Sequence, residues 1–215
     1  TYRMYQLVEL AVHRMIPPLP VFFFAVAAAL AVFSYLYSAK SANMMHALPV
    51  NRLELYVTNY LSGLIFLIVP EIITFFITVL VCLANQFTCI QYLFAALLAQ
   101  AGVTFFAYSL AVFVAIFTGQ AFAMPCYYVI VNYLYVGCMF IVAKVIETIS
   151  YGIENAWNPG KSCILSPLYY LNNNLRSSLI YTENGNGITG IKITGMPLTG
   201  IYAAAAVVLV VAAYQ

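Results

Sequence analysis

Apolar residues run almost without interruption along this chain, and its few polar breaks mark where elements begin and end. Leu19 to Tyr37 carries no charge and is long enough to cross a bilayer. Tyr35 and Tyr37 close it, at the headgroup level that aromatic side chains prefer. Arg52 to Cys82 predicts a long second span, tilted or projecting from the bilayer at its polar start. Asn85-Gln86 is a short connection to a third span, Tyr92 to Phe117. Along it Ala95, Ala99, Ala107, Ala111 and Ala115 recur at multiples of four, a small-residue ridge that permits close helix packing, although alanine is also simply common in such helices. Thr118-Gly119-Gln120 makes a tight turn into a fourth span, Phe122 to Val142, which tolerates Pro125 and Gly137 as membrane helices do. Ile201 to Tyr214 begins a fifth.

The most informative break lies between the first two spans. Ser41, Met44, Met45 and Leu48 recur at i, i+3, i+4 and i+7, one face of a short amphipathic helix, with Asn43 and His46 opposite. Pro49 biases Leu48 away from helical geometry and ends the stub. Asn51 then supplies an N-cap, Glu54 a capping-box partner for the Asn51 amide, and Val50 with Leu55 a hydrophobic staple. The connection at 38–54 is therefore a short helix, a sharp corner and a long membrane helix, and such a stub at one membrane face predicts docking. Residues 1–16, with Arg3, Glu9, His13 and Arg14, read as an interfacial helix or the tail of a loop, ended by Pro17, Pro18 and Pro20.

Lys144 to Gly200 differs in texture, holding the only Trp and Gly/Asn-rich turns such as Glu183-Asn-Gly-Asn-Gly187. It reads as a partly structured outer loop, residues 148–200, in which Ser166-Pro167 starts a short helix through Tyr169, Tyr170 and Leu171.

Composition fixes the class. Hydrophobic residues make up 65% and charged residues 7%, where a soluble domain carries roughly a quarter charged. The expectation is an all-α integral membrane protein, one transmembrane domain over residues 1–215 with five visible helices. A net charge of +2 gives no reason to invoke nucleic acid. The chain begins at Thr1 with no signal-peptide pattern and stops at Gln215 in an apolar run, so it reads as a fragment of something longer. Lys40 and Arg52 flank the stub while 84–90 has no basic residue, which places the stub in the cytoplasm; Arg3 and Arg14 count against this and the long loop weighs little.

Little here carries chemistry. The two histidines, His13 and His46, belong to no metal-spaced cluster, and no Ser/His/Asp set or GxxxxGK[ST] loop exists. Cys82 and Cys89 flank one turn and pair if that side oxidises, or remain thiols. No catalytic residue, metal or cofactor is expected. The exception is Glu71, beside Pro70 and some twenty residues into the second span. An ionised carboxylate in the bilayer costs roughly 3 kcal/mol or more. Two readings stand: it faces a substrate path, or it lies near the outer headgroups.

The runs Tyr35-Leu-Tyr-Ser-Ala-Lys40, His46-Ala-Leu-Pro-Val-Asn-Arg52, Thr58-Asn-Tyr-Leu-Ser-Gly63 and Val69-Pro70 resemble permease subunits of bacterial ABC transporters, within a Firmicutes branch of the type-2, exporter-like family. The resemblance is strongest over residues 33–72 and topological beyond. It implies that the stub is the coupling helix, with Met44, Met45, His46, Leu48, Pro49 and Arg52 docking on a separate ATPase subunit, and that Asn59, Tyr60 and Gly63 begin the family's third helix. It also implies six helices in the full protein, ATP and Mg on the partner ATPase, a second permease subunit, identical or related, and a multi-pass location in the bacterial plasma membrane. The family pattern does not include Glu71. The alternative is a secondary transporter or channel using Glu71 as an intramembrane ion or proton site. A membrane enzyme would need a catalytic constellation that the sequence lacks. Lipid, peptide, antibiotic and polysaccharide all stay open as cargo.

Overall fold

A computed structural model describes residues 18–46, 51–84, 90–150, 164–181 and 188–214. In chain order these form α1 (Pro18–Phe33) with a 3-10 turn (Ser34–Tyr37), α2 (Ala39–His46), α3 (Arg52–Ala84), α4 (Ile90–Phe117), α5 (Ala123–Ile149), α6 (Pro167–Asn174), a hairpin of β1 (Arg176–Tyr181) and β2 (Ile188–Thr194), and α7 (Met196–Tyr214). Five of these, α1 with its 3-10 turn, α3, α4, α5 and α7, are long and apolar enough to span a membrane. The protein is a helical membrane bundle.

α4 is its axis. Two-thirds of its most apolar stretch is buried, against none of α3's, because α1, α3 and α7 all pack on it. A helix apolar on every side suits that position. The alanine ridge lies within it: Ala99, Ala107, Ala111 and Ala115 are fully enclosed. α1 meets α4 through Val21, Phe22, Ala25, Ala28, Ala29 and Phe33, a stripe at three- and four-residue spacing whose alanines bring the backbones close. α7 does so through Thr199, Tyr202, Ala206 and Ala213. α5 is peripheral, burying only Met124, Tyr128, Asn132 and Ala143.

The start of α3 follows its predicted cap with one difference. Asn51 accepts the Leu55 amide at its carbonyl, but its side chain pairs with the Glu54 carboxylate (Nδ2 to Oε1, 3.1 Å). The polar start also does not project by itself. Asn59 Nδ2 donates to Tyr35 Oη (3.3 Å), Tyr56 Oη donates to the Val210 carbonyl (3.2 Å), and the Tyr56 ring lies 6.0 Å from that of Tyr214. Tyr37 Oη reaches the Ala115 carbonyl at the same end (3.2 Å). The ends of α1, α4 and α7 and the start of α3 are thus level, in a ring of tyrosines, and the surplus length of α3 is at its far end.

The described residues between α5 and α7 hold a helix and a hairpin. α6 begins at Pro167 as expected, anchored by Ser166 Oγ accepting the Val136 amide (3.0 Å). The hairpin is the unexpected element. Its strands pair antiparallel from Arg176↔Thr194 to Tyr181↔Ile188, with a bulge at Ile180/Tyr181, and Ile191 is buried in the core. Gly195 then swings the chain into α7 at φ +92, where a Cβ would meet the Asn174 carbonyl at 2.9 Å. Residues 1–17, Asn85, Gln86, Cys89 and Cys163 lie outside the described residues.

Candidate functional site

Two places answer to the residues singled out by sequence. The first is α2. Its contacts are mainly with the preceding 3-10 turn, and Asn43 and Met44 are exposed, Met44 at 68%. Arg52, at the start of α3, is exposed as well. Met45 and His46 lie on α2, while Leu48 and Pro49 fall outside the described residues. A methionine left open at the tip of a short polar helix is suited to contact with another surface.

The second is Glu71. α3 packs along the line Tyr56, Tyr60, Gly63, Leu67, Glu71, Phe75, Val79 and Cys82, at steps of three and four. Glu71 therefore faces the bundle. At about 1.5 Å per residue, it lies roughly 22 Å from Tyr56 and the tyrosine ring, in a hydrocarbon layer of about 30 Å. It thus lies about midway between the midplane and the far boundary. Pro20 of α1 lines the same cavity, and Gly102 of α4 is against Thr199 of α7 close by, so Glu71 sits where α1 and α7 begin. α3 and α4 run on beyond that level. The carboxylate is thus on the far side of the bundle from the tyrosine ring, and it lines a cavity.

That space is a cavity of about 500 Å3, walled by α1 and α3 and floored by α4. Its polar groups are Glu71, Thr74, Gln100 and Thr104; Pro20, Phe24, Phe66 and Leu97 contribute apolar surface. Thr104 Oγ1 donates to Glu71 Oε1, and the Gln100 side chain also hydrogen-bonds the carboxylate. Thr74 donates to the Pro70 carbonyl (2.8 Å). Glu71 Oε2 and Gln100 Oε1 are buried without a partner, and Gln100 is only 8% exposed. Pro70, lacking an N–H, also gives nothing to the Phe66 carbonyl one turn earlier. The cavity thus gathers hydrogen-bond acceptors in an apolar setting, where leaving them unmatched is costly.

Gln100 and Thr104 were not singled out by sequence. They are four apart on α4 and so share a face, and a glutamine inside an apolar span was the available signal. Further along the same α3–α4 seam, Tyr60 Oη lies 2.7 Å from Ser109 Oγ and its ring 5.2 Å from that of Tyr108. Gly63 makes room there: a Cβ on it would overlap the Tyr108 hydroxyl. Among the described residues no group of three His, Cys, Asp or Glu comes together to hold a metal. No family model, curated protein or solved structure matches this chain.

Proposed function

We propose that this chain is the membrane-spanning permease subunit of an ATP-driven exporter of the ABC type, working in a bacterial plasma membrane. A separate ATPase subunit would hold ATP and Mg and dock on α2, and a second permease chain would complete the pathway. The observation that carries this reading is α2 itself. It is a short polar helix with Met44 open, and it precedes the start of α3, where Asn51 pairs with Glu54. Motion imposed on α2 would pass along the chain into α3, whose packed line includes Glu71 at the cavity. The resemblance of residues 33–72 to type-2 permeases supplies the partner's identity.

Purification from native membranes tests it. An ABC ATPase is expected to accompany the chain, with nucleotide turnover that responds to it. Met44→Asp, Met45→Asp and Leu48→Asp together are expected to uncouple transport while the permease still inserts, since they alter a docking face. Normal transport by the triple variant would remove the coupling assignment. The cavity favours a second reading, a secondary transporter using Glu71 as its ion site. It predicts that transport persists with no ATPase present.

A further inference from the structure

We propose that the Glu71 cavity is a binding site for an amphiphilic primary amine: a cationic ammonium head on an apolar tail. Three features select that chemistry. The unmatched groups are acceptors, Glu71 Oε2 and Gln100 Oε1, so the complementary head must donate hydrogen bonds to both. Among the described residues the only ionisable side chain lining the cavity is Glu71, so the favoured head is positive and pairs with it. The remaining wall is apolar, and Phe24 and Phe66, 60% and 70% exposed at the mouth between α1 and α3, leave it open on the lipid side.

A metal ion fits less well. Calcium takes about six to eight oxygen ligands, while this cavity offers one carboxylate, one amide and two threonines among apolar side chains. A zwitterionic aminophospholipid brings a phosphate beside its amine, and among the described residues no Lys, Arg or His lines the cavity to meet it. A volume of about 500 Å3 is suited to a small molecule. The inference rests on the transport reading only for the step from ligand to cargo. Binding itself needs no ATPase, so the two can fail separately.

The test is equilibrium binding of dodecylamine to the purified chain in phosphatidylcholine nanodiscs, whose lipid amine has no N–H to donate. Saturable binding near one per chain is expected, above the partitioning measured in empty discs. Dodecan-1-ol and dodecanoate, with the same tail, are expected not to compete. Competition by either on the unmodified chain would overturn the proposal without any variant. Glu71→Gln is expected to weaken dodecylamine by at least about tenfold, the loss of a hydrogen-bonded charge pair, and Gln100→Leu to weaken it less. Equal binding by the wild type and Glu71→Gln would also overturn it. A final arm adds phosphatidylethanolamine to the discs: unchanged dodecylamine affinity supports a free amine, whereas loss of binding would make the lipid the occupant and contradict the proposal.

Discussion

At the scale of single residues, Glu71 and Gly63 stand on one packed line of α3 and do opposite things. Glu71 brings a carboxyl group to an apolar wall and leaves one oxygen unmatched. Under the transport reading, Glu71→Gln is expected to lower transport several-fold with membrane expression unchanged; equal activity across pH would return Glu71 to a tolerated polar residue. Gly63 contributes by what it lacks. Gly63→Ala is expected to destabilise the bundle by roughly 1–3 kcal/mol through overpacking, read as a lower unfolding temperature in detergent. Because the Tyr108 hydroxyl has no hydrogen-bond partner, Tyr108→Phe alone is expected to cost little and to restore part of the loss in the double variant. Strict additivity of the two would contradict the contact. Glu71 was legible from sequence because a lone charge inside a span is conspicuous. Its partners were not, since Thr104 and Gln100 are neutral and only the α3–α4 packing shows that they face it.

At the scale of elements, the spans and the start of α3 were legible because they rest on local signals: apolar runs and the Asn51/Glu54 pair. Asn51→Ala is expected to loosen the first turn of α3 by about 1 kcal/mol, seen as faster amide exchange there and not in α4. Unchanged exchange would mean that the Asn51–Glu54 contact carries no weight. The hairpin was missed for a different reason. Asn-Gly turns between runs such as Arg176–Tyr181 and Ile188–Thr194 are a hairpin signal, but in a loop-textured stretch they read as turns alone. Its connection to α7 depends on Gly195. Gly195→Ala is expected to cost roughly 1–2 kcal/mol from its left-handed backbone, beyond the crowding against Asn174. An unfolding temperature unchanged by the substitution would contradict that geometry.

At the scale of the whole molecule, relative helix levels are the part that no sequence signal supplies. A surplus of residues in α3 says that the helix is longer than the apolar layer, not at which end. The ring of Tyr37, Tyr56 and Tyr214 answers this by placing the ends of α1 and α7 beside the start of α3. It also puts α2 and the Thr118 turn at one end of the bundle, with α6 and the hairpin at the other. Which end faces the cytoplasm was inferred from Lys40 and Arg52, and the proposed ATPase contact depends on it. Asn43 and Lys192, both exposed, mark the two ends. The most direct measurement introduces Asn43→Cys or Lys192→Cys into a chain whose five native cysteines are replaced by Ser, and treats cells with a membrane-impermeant maleimide. Lys192→Cys is expected to label on intact cells, and Asn43→Cys only once the cells are opened. Labelling of Asn43→Cys on intact cells would put Met44 on the wrong side of the membrane for an ATPase and contradict the permease account.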